Sequence, residues 1–339
     1  MMKKIFMFIF LVIFIVLTST GNVLAQKVIC ATEVADLPLQ KHEMAAMYNF
    51  VDYLEMFGGF NIDFQPGGAL GTVDANYQQV GRNQIQFTMT LTAKIAGFDY
   101  PNATIFSIPY LFNDPIIARK ILDPNSDFFK ELSEDMAQKT GIRLLALAPA
   151  GSRNLTNSVR PVKNVEDLKG LKIRTMKAPL DVAIWQAAGV EVTPMAFAEL
   201  YSALQTGVVD GQENPVSIIM SNSFHEVQDY LTMTQHNTSI QGLLVNNEYW
   251  ETLSEEQKEI VHEASEFWMH TFYTNEFLHK NLGLRDIQNR GLMEVYVPTP
   301  EEMEGFKKVM LPAALEFVEE EVDDVSWIEK LMDQVDKSQ

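Results

Sequence analysis

Cysteine is almost missing from this chain: Cys30 is the single one in 339 residues. No intrachain disulfide can form, and no paired-cysteine zinc site is available, so the fold must be held by its core. Catalytic signatures are missing too. His262-Glu263 is not the start of an HExxH helix, because Glu266 stands where the second histidine belongs. There is no Walker loop and no G-x-S-x-G elbow, and the six histidines are scattered. With no nucleophile–base pair, an enzyme is disfavoured, and neither metal nor cofactor is called for. Clustered Lys/Arg is absent as well; 26 basic against 45 acidic residues give a formal charge of −19, which disfavours nucleic acid and anionic membrane as partners. Internal repeats, low-complexity segments and long linkers are lacking.

The one long apolar run is at the start. Residues 1–25 read as a secretory signal peptide: Lys3 and Lys4 form a basic region, Ile5–Leu17 an apolar core, and Val23-Leu24-Ala25 a small-residue cleavage site before Gln26. The run is shorter than the roughly 20 residues a membrane span requires, so cleavage rather than anchoring is expected, with no membrane insertion afterwards. Lys27-Val28-Ile29 before Cys30 does not resemble a lipidation site. Removing the two leader lysines leaves 24 basic against 45 acidic residues, a charge of −21 for an exported protein. Roughly 314 residues remain, enough for two lobes of ordinary domain size, and 47% apolar content can fill them.

Strands alternate with helices. Gln26–Ala31 reads as a buried strand, residues 39–57 as a helix with Met44, Met47, Val51 and Leu54 on one face, and Asn61–Gln65 as a second strand ending at Pro66-Gly67-Gly68. This alternation predicts a mostly parallel sheet. Ile142–Ala148 reads as an apolar strand leading to a crossing at Pro149-Ala150-Gly151, and Ile240–Val245 as a return strand. Ser254 and Gln257 form a capping box for one long helix whose stripe is Ile260, Val261, Ala264, Phe267, Trp268, Thr271 and Leu278. Thr299-Pro300-Glu301-Glu302 opens a last helix in the same way.

The stretch Leu171–Pro215 carries the chemistry. Leu171 and Ile173 alternate with Lys172 and Arg174, which places a guanidinium where a parallel strand gives way to its loop, the usual ligand position in an open α/β sheet. Arginine pairs bidentately with a carboxylate and stays charged. A second strand ends at Asn214, whose amide can donate without adding charge.

The run through TPMAFAELYSALQTGVVDGQENP resembles the signature of the solute-binding receptors of TRAP (tripartite ATP-independent periplasmic) transporters, the DctP-like family. GSRNLTNSVRPVKNVEDLKGLKIR, PGGALG at Pro66–Gly71 and IPYLF at Ile108–Phe112 are similar to other parts of that family, in order from Val28 to Trp250. The resemblance implies a two-lobed α/β periplasmic-binding-protein fold, each lobe a mostly parallel sheet flanked by helices, with the long helix spanning both. Its expected division is 26–151 in lobe 1, 152–239 in lobe 2, 240–279 back in lobe 1, and 280–339 in lobe 2 with the C-terminal helices. Repeated crossings make a hinge.

The resemblance also implies roles. Arg174 corresponds to the arginine that clamps the ligand carboxylate, Arg153 to a second arginine that often faces ligand, Asn214 to the amide on the same carboxylate, and Phe197 to an aromatic against the ligand body. A core phenylalanine opening a helix with Leu200, Ala203 and Leu204 inward reads equally well at 197. Trp185, Tyr201 and His236 are candidate pocket walls or core. The family's sialic-acid receptors have asparagine where this chain has Lys177, and after Phe87 the loop Thr88-Met89-Thr90-Leu91-Thr92 has no acid. Each unpaired buried hydroxyl costs roughly 1–3 kcal/mol, so a compact, partly apolar mono- or dicarboxylate is expected over a sugar acid. Lys177 either meets a second acidic group or is simply solvated. The expected function is a periplasmic receptor that closes on a small carboxylate and delivers it to TRAP membrane subunits; alternatives are a sensing subunit for a signalling kinase or a periplasmic enzyme acting on an organic acid.

Overall fold

The computed structural model describes residues 27–112 and 114–338, so the signal peptide expected over 1–25 lies outside the described residues. Numbered in chain order, the first elements are β1 (Lys27–Ala31), α1 (His42–Gly58), β2 (Asn61–Gln65), α2 (Val73–Gly81), β3 (Phe87–Leu91) and α3 (Thr92–Phe98). A 3-10 turn at Pro101–Ser107, α4 (Pro115–Ile121) and α5 (Asp127–Thr140) lead to a long strand, β4 (Ile142–Asn157). The next units are β5 (Lys172–Thr175), α6 (Pro179–Ala187), β6 (Glu191–Pro194), α7 (Leu200–Gln205), β7 (Gly211–Pro215) and α8 (Val216–Ser221). A second long strand, β8 (Tyr230–Asn246), precedes α9 (Asn247–Thr252), α10 (Glu255–Arg290), β9 (Glu294–Tyr296), α11 (Pro300–Glu321) and α12 (Ser326–Ser338).

Among the described residues, nine strands join one sheet in the order β2-β1-β3-β8-β4-β7-β5-β6, with β9 on β8. β1 runs parallel to β2 and β3, and β5 parallel to β6 and β7, so each lobe has its own parallel set. The two sets are linked only through β4 and β8, which are antiparallel to each other. The strands expected to end at Ala148 and to begin at Ile240 are halves of these linkers, 16 and 17 residues long. Pro149 does not stop β4 because the register against β8 shifts between Pro149 and Ser152, and a missing N–H costs least where the ladder is already broken.

Register fixes where a ligand can sit. Leu91, the last residue of β3, is opposite Gln241, and Pro215, the last of β7, is opposite Arg153. The carboxyl ends of both parallel sets therefore point at the middle of the β4–β8 pair from opposite sides. Open α/β sheets bind ligands at such carboxyl ends. Gly151 stands at the crossing with φ +91°, and a Cβ on it would lie 2.2 Å from Glu276 Oε1 and 2.9 Å from Pro215 Cβ.

α10 has the expected capping box, Ser254 with Gln257, and ends at Gly291 in the left-handed conformation. Its 36 residues extend roughly 54 Å. The buried face is Val261, Ala264, Trp268, Phe272, Glu276, Gly283 and Ile287, steps of three, four and seven that keep one side inward. Phe267 and Leu278, expected in this stripe, are 47% and 50% exposed, because 100° per residue carries them off that face. The helix packs first on α1 and β4, in a core with Phe50, Phe87 and Tyr249, and later against α8, in a core with Leu200, Phe224 and Leu231. It thus joins both lobes. α11 packs on α6 and the Pro101–Ser107 turn, and α12 packs on α4 and α5.

Candidate ligand-binding site

Arg174 is the third of the four residues of β5, one before its end, and is 2% exposed. Its Nε and Nη2 both donate to the carbonyl of Met195, at 3.1 and 2.8 Å, which pins the guanidinium plane. The ring of Phe197 lies 5.9 Å from Cζ. Nη1 is buried and has no partner. Burial lowers the guanidinium to about 10, with Glu213 opposing and Arg153 assisting, so it remains charged at neutral pH. A buried cation with one face committed and the other open is arranged to receive an anion.

Arg153 is equally buried, but each of its three nitrogens has a partner. Its Nε pairs with Glu213 Oε2, Nη2 donates to Glu213 Oε1 at 2.8 Å and to the Glu213 carbonyl at 2.6 Å, and Nη1 donates to Ser239 Oγ at 2.9 Å. Burial disfavours the Glu213 carboxylate, yet the Arg153 charge and the His236 hydrogen bond win and bring it down to about 2. Burial also holds His236 below its ordinary value, so the ring is neutral. Its Nε2 faces Glu213 Oε2 at 3.2 Å and its Nδ1 faces Thr234 Oγ1 at 2.8 Å, which fits Nε2–H donating to the carboxylate and Nδ1 accepting from threonine.

Asn214 is buried on β7, and its Nδ2 donates to Gln212 Oε1 at 2.5 Å; an amide nitrogen carries two hydrogens, so one remains. Gln212 in turn donates to Thr156 Oγ1 at 2.8 Å. Phe197 opens the turn before α7, is 36% exposed, and meets Phe224 edge-on at 5.8 Å, while Leu200, Ala203 and Leu204 behind it are buried. Lys177 is exposed beyond the end of β5, its carbonyl 3.8 Å from where a Cβ on Gly97 of α3 would lie. Trp185 is fully buried with its ring 5.0 Å from that of His236, and Tyr201 donates to Glu226 Oε2 at 3.2 Å on the outside. Thr90 of β3 has a buried hydroxyl without a partner.

Two buried acids stand beside these residues without having been singled out by sequence pattern. Glu213 lies in GQENP, a strand buried at every position, where an acid must have a partner. Asp181 falls three and four residues before Ile184 and Trp185, which puts it on the inward face of α6. Burial, with Glu213 adding and both arginines opposing, pushes its carboxyl up to about 7. Among the described residues no cluster of three or more His, Cys, Asp or Glu could hold a metal ion, and no helix is long and apolar enough to cross a membrane.

Residues 38–321 match the family of bacterial extracellular solute-binding proteins, family 7, or DctP. A solute-binding protein of Verminephrobacter eiseniae is 37% identical over 214 residues, 62% of this chain and 63% of that one. The 2,3-diketo-L-gulonate-binding periplasmic protein YiaO of Escherichia coli is 33% identical over 73% of this chain and 74% of its own. The periplasmic ectoine-binding protein of the TeaABC TRAP transporter of Halomonas elongata superposes with a TM-score of 0.83 at 27% identity, covering 92% of this chain and 99% of that one. A single sheet with two parallel sets, a helix crossing both lobes and a family match over residues 38–321 agree: the chain belongs to the DctP family of TRAP-transporter solute-binding proteins.

Proposed function

We propose that this protein is a periplasmic receptor that binds a small organic acid through Arg174, closes on it, and presents it to the membrane subunits of a TRAP transporter. The unpartnered, buried Nη1 of Arg174 carries this reading. Nη1 and the adjoining edge of the guanidinium receive the carboxylate, the free N–H of Asn214 adds a neutral donor, and Phe197 covers the ligand body. Arg153 acts chiefly through its charge, since four of its five N–H groups are committed to Glu213 and Ser239. Lys177, exposed at the rim, is left to solvent or to a second acidic group of a longer ligand. Relatives named for 2,3-diketo-L-gulonate and ectoine support a small polar solute as ligand class. The ligand binds without being turned over.

Truncating one side of a buried charge pair costs roughly 2–5 kcal/mol, about thirtyfold to several thousandfold in Kd. Calorimetry on Arg174→Ala should show that loss, and Arg174→Lys a smaller one, because lysine keeps the charge without the fork. A change under threefold for Arg174→Ala removes the clamp. Closure is read separately: small-angle scattering of protein verified as ligand-free should show a smaller radius of gyration on saturation, and an unchanged radius rules the hinge out.

A further inference from the structure

Asp181 is 2% exposed, sits in the first turn of α6 on the same carboxyl edge as Arg174, and has no partner for its buried Oδ2. It borders a small pocket of about 20 Å³ between α3, the 3-10 turn, α6 and α11, walled by Ala93 and Ala96 of α3, Thr104 and Ser107 of the 3-10 turn, and Glu321 of α11. An acid in a first helical turn ordinarily answers the helix dipole from the surface and is content there. Here the carboxylate is buried, which costs far more than a dipole returns. The charges of both arginines ease it, but neither gives it a hydrogen bond: the bonds of Arg153 go to Glu213 and Ser239, and those of Arg174 to Met195, with Nη1 unpartnered.

The charge count singles out one kind of ligand. Arg153 cancels Glu213, which leaves one cation, Arg174, and one anion, Asp181, sharing a field. With Asp181 ionised, a plain monocarboxylate seated on Arg174 adds a buried negative charge that nothing offsets, so it binds only at the cost of a proton taken up by Asp181. A carboxylate that also carries a cationic nitrogen keeps the site neutral, with its anion on Arg174 and its cation on Asp181. We propose that Asp181 is a specificity-determining residue that receives the cationic nitrogen of a small zwitterionic carboxylate. This rests on the reading of Arg174 as the clamp. It also revises the expectation of a pocket poor in polar partners, since the missing acid is supplied by α6 rather than by the first-lobe loop.

The pH dependence has a definite sign. The groups facing Asp181 are Arg174 on β5, Arg153 on β4, Glu213 on β7 and, across the pocket, Glu321 on α11. Without ligand the carboxyl is raised to about 7, and a cation requires it ionised. Affinity for a zwitterion therefore rises with pH through about 7, whereas affinity for a plain carboxylate falls.

The test is calorimetry on ligand-free protein with isosteric pairs: proline against tetrahydrofuran-2-carboxylate, β-alanine against 3-hydroxypropionate, and 4-aminobutyrate against 4-hydroxybutyrate. For the best-fitting pair, the zwitterion should bind at least tenfold more tightly than its oxygen isostere, and more tightly at pH 8 than at pH 6. Asp181→Asn, which keeps the shape and imitates the neutral form that burial favours, should erase both the preference and the pH slope. Arg174→Ala should weaken both members of each pair. An isostere that binds as well as its zwitterion, or a preference that changes less than threefold in Asp181→Asn, overturns the role of Asp181 and leaves the clamp standing. If no member of any pair binds the wild-type protein, the clamp reading falls and this inference falls with it.

Discussion

Arg153 and Arg174 are buried alike, at 2% exposure each, and feel one another's charge, yet one is finished and the other is not. Around Arg153, strands β7 and β8 supply Glu213, Ser239 and His236, and each of its three nitrogens has a partner. Around Arg174, only the Met195 carbonyl answers, and the neighbouring acid, Asp181, has a bare oxygen of its own. The difference follows from place. Arg153 lies inside the β4–β8 pair that links the lobes, where a loose charge would weaken the crossing itself. Arg174 lies near the carboxyl end of a parallel strand, where the chain turns away from the sheet. On the proposed function, saturated charge marks structure in this protein and unsaturated charge marks the site.

Stability measurements break or sharpen that contrast. Removing one partner of a buried ion pair costs roughly 3–5 kcal/mol, so Arg153→Met should lower the unfolding free energy in urea by about that much. The double variant Arg153→Met with Glu213→Leu should recover most of the loss, since a buried pair replaced by apolar residues is often close to neutral. Arg174→Met should cost less than about 1 kcal/mol without ligand, because it also relieves a cation that burial already disfavours. If Arg174→Met destabilises the ligand-free protein as much as Arg153→Met does, the two arginines are both structural and the contrast is void.

How much of this could be read from the residues alone divides along similar lines. The placement of Arg174 near the end of a strand was legible because its cause is local: two-residue alternation in a short strand that ends one residue later. The caps of α10 and α11 were legible for the same reason, as Ser254–Gln257 and Thr299–Glu302 lie within one turn. The partner of Arg153 was not, because Glu213 stands 60 residues away and only the β4–β7 ladder brings it near. Strand length was hidden at Pro149 and Gly151, which read as a stop and form instead the point where β4 changes lobes. Asp181 is the intermediate case. Its spacing to Ile184 and Trp185 announced an inward acid, but its importance depends on what does not approach it, and no pattern in a sequence displays an absent partner.

The smallest effect isolates Asp181 from everything else that titrates. Its folded value, about 7, is above the ordinary 3.8 of aspartate, so the folded protein holds the proton more tightly than the unfolded chain does. The stability this group contributes is complete below about 4 and is lost as pH rises toward about 7. Glu213 has the opposite sign: brought down to about 2, its contribution is complete above its ordinary 4.5 and is lost only in acid, so it is flat between pH 5 and 8. His236, held below 6.5, adds stability as pH rises, and Glu276, raised to about 7 chiefly by burial, loses it. Those contributions are common to the wild-type protein and Asp181→Asn and cancel in their difference. Asp181→Asn should therefore gain on the ligand-free wild type between pH 5 and pH 8 by on the order of 1–3 kcal/mol, measured as the difference in urea unfolding free energy. A difference that stays constant across that range would mean that Asp181 is already answered in solution, and the contrast between the two arginines would then rest on Nη1 of Arg174 alone.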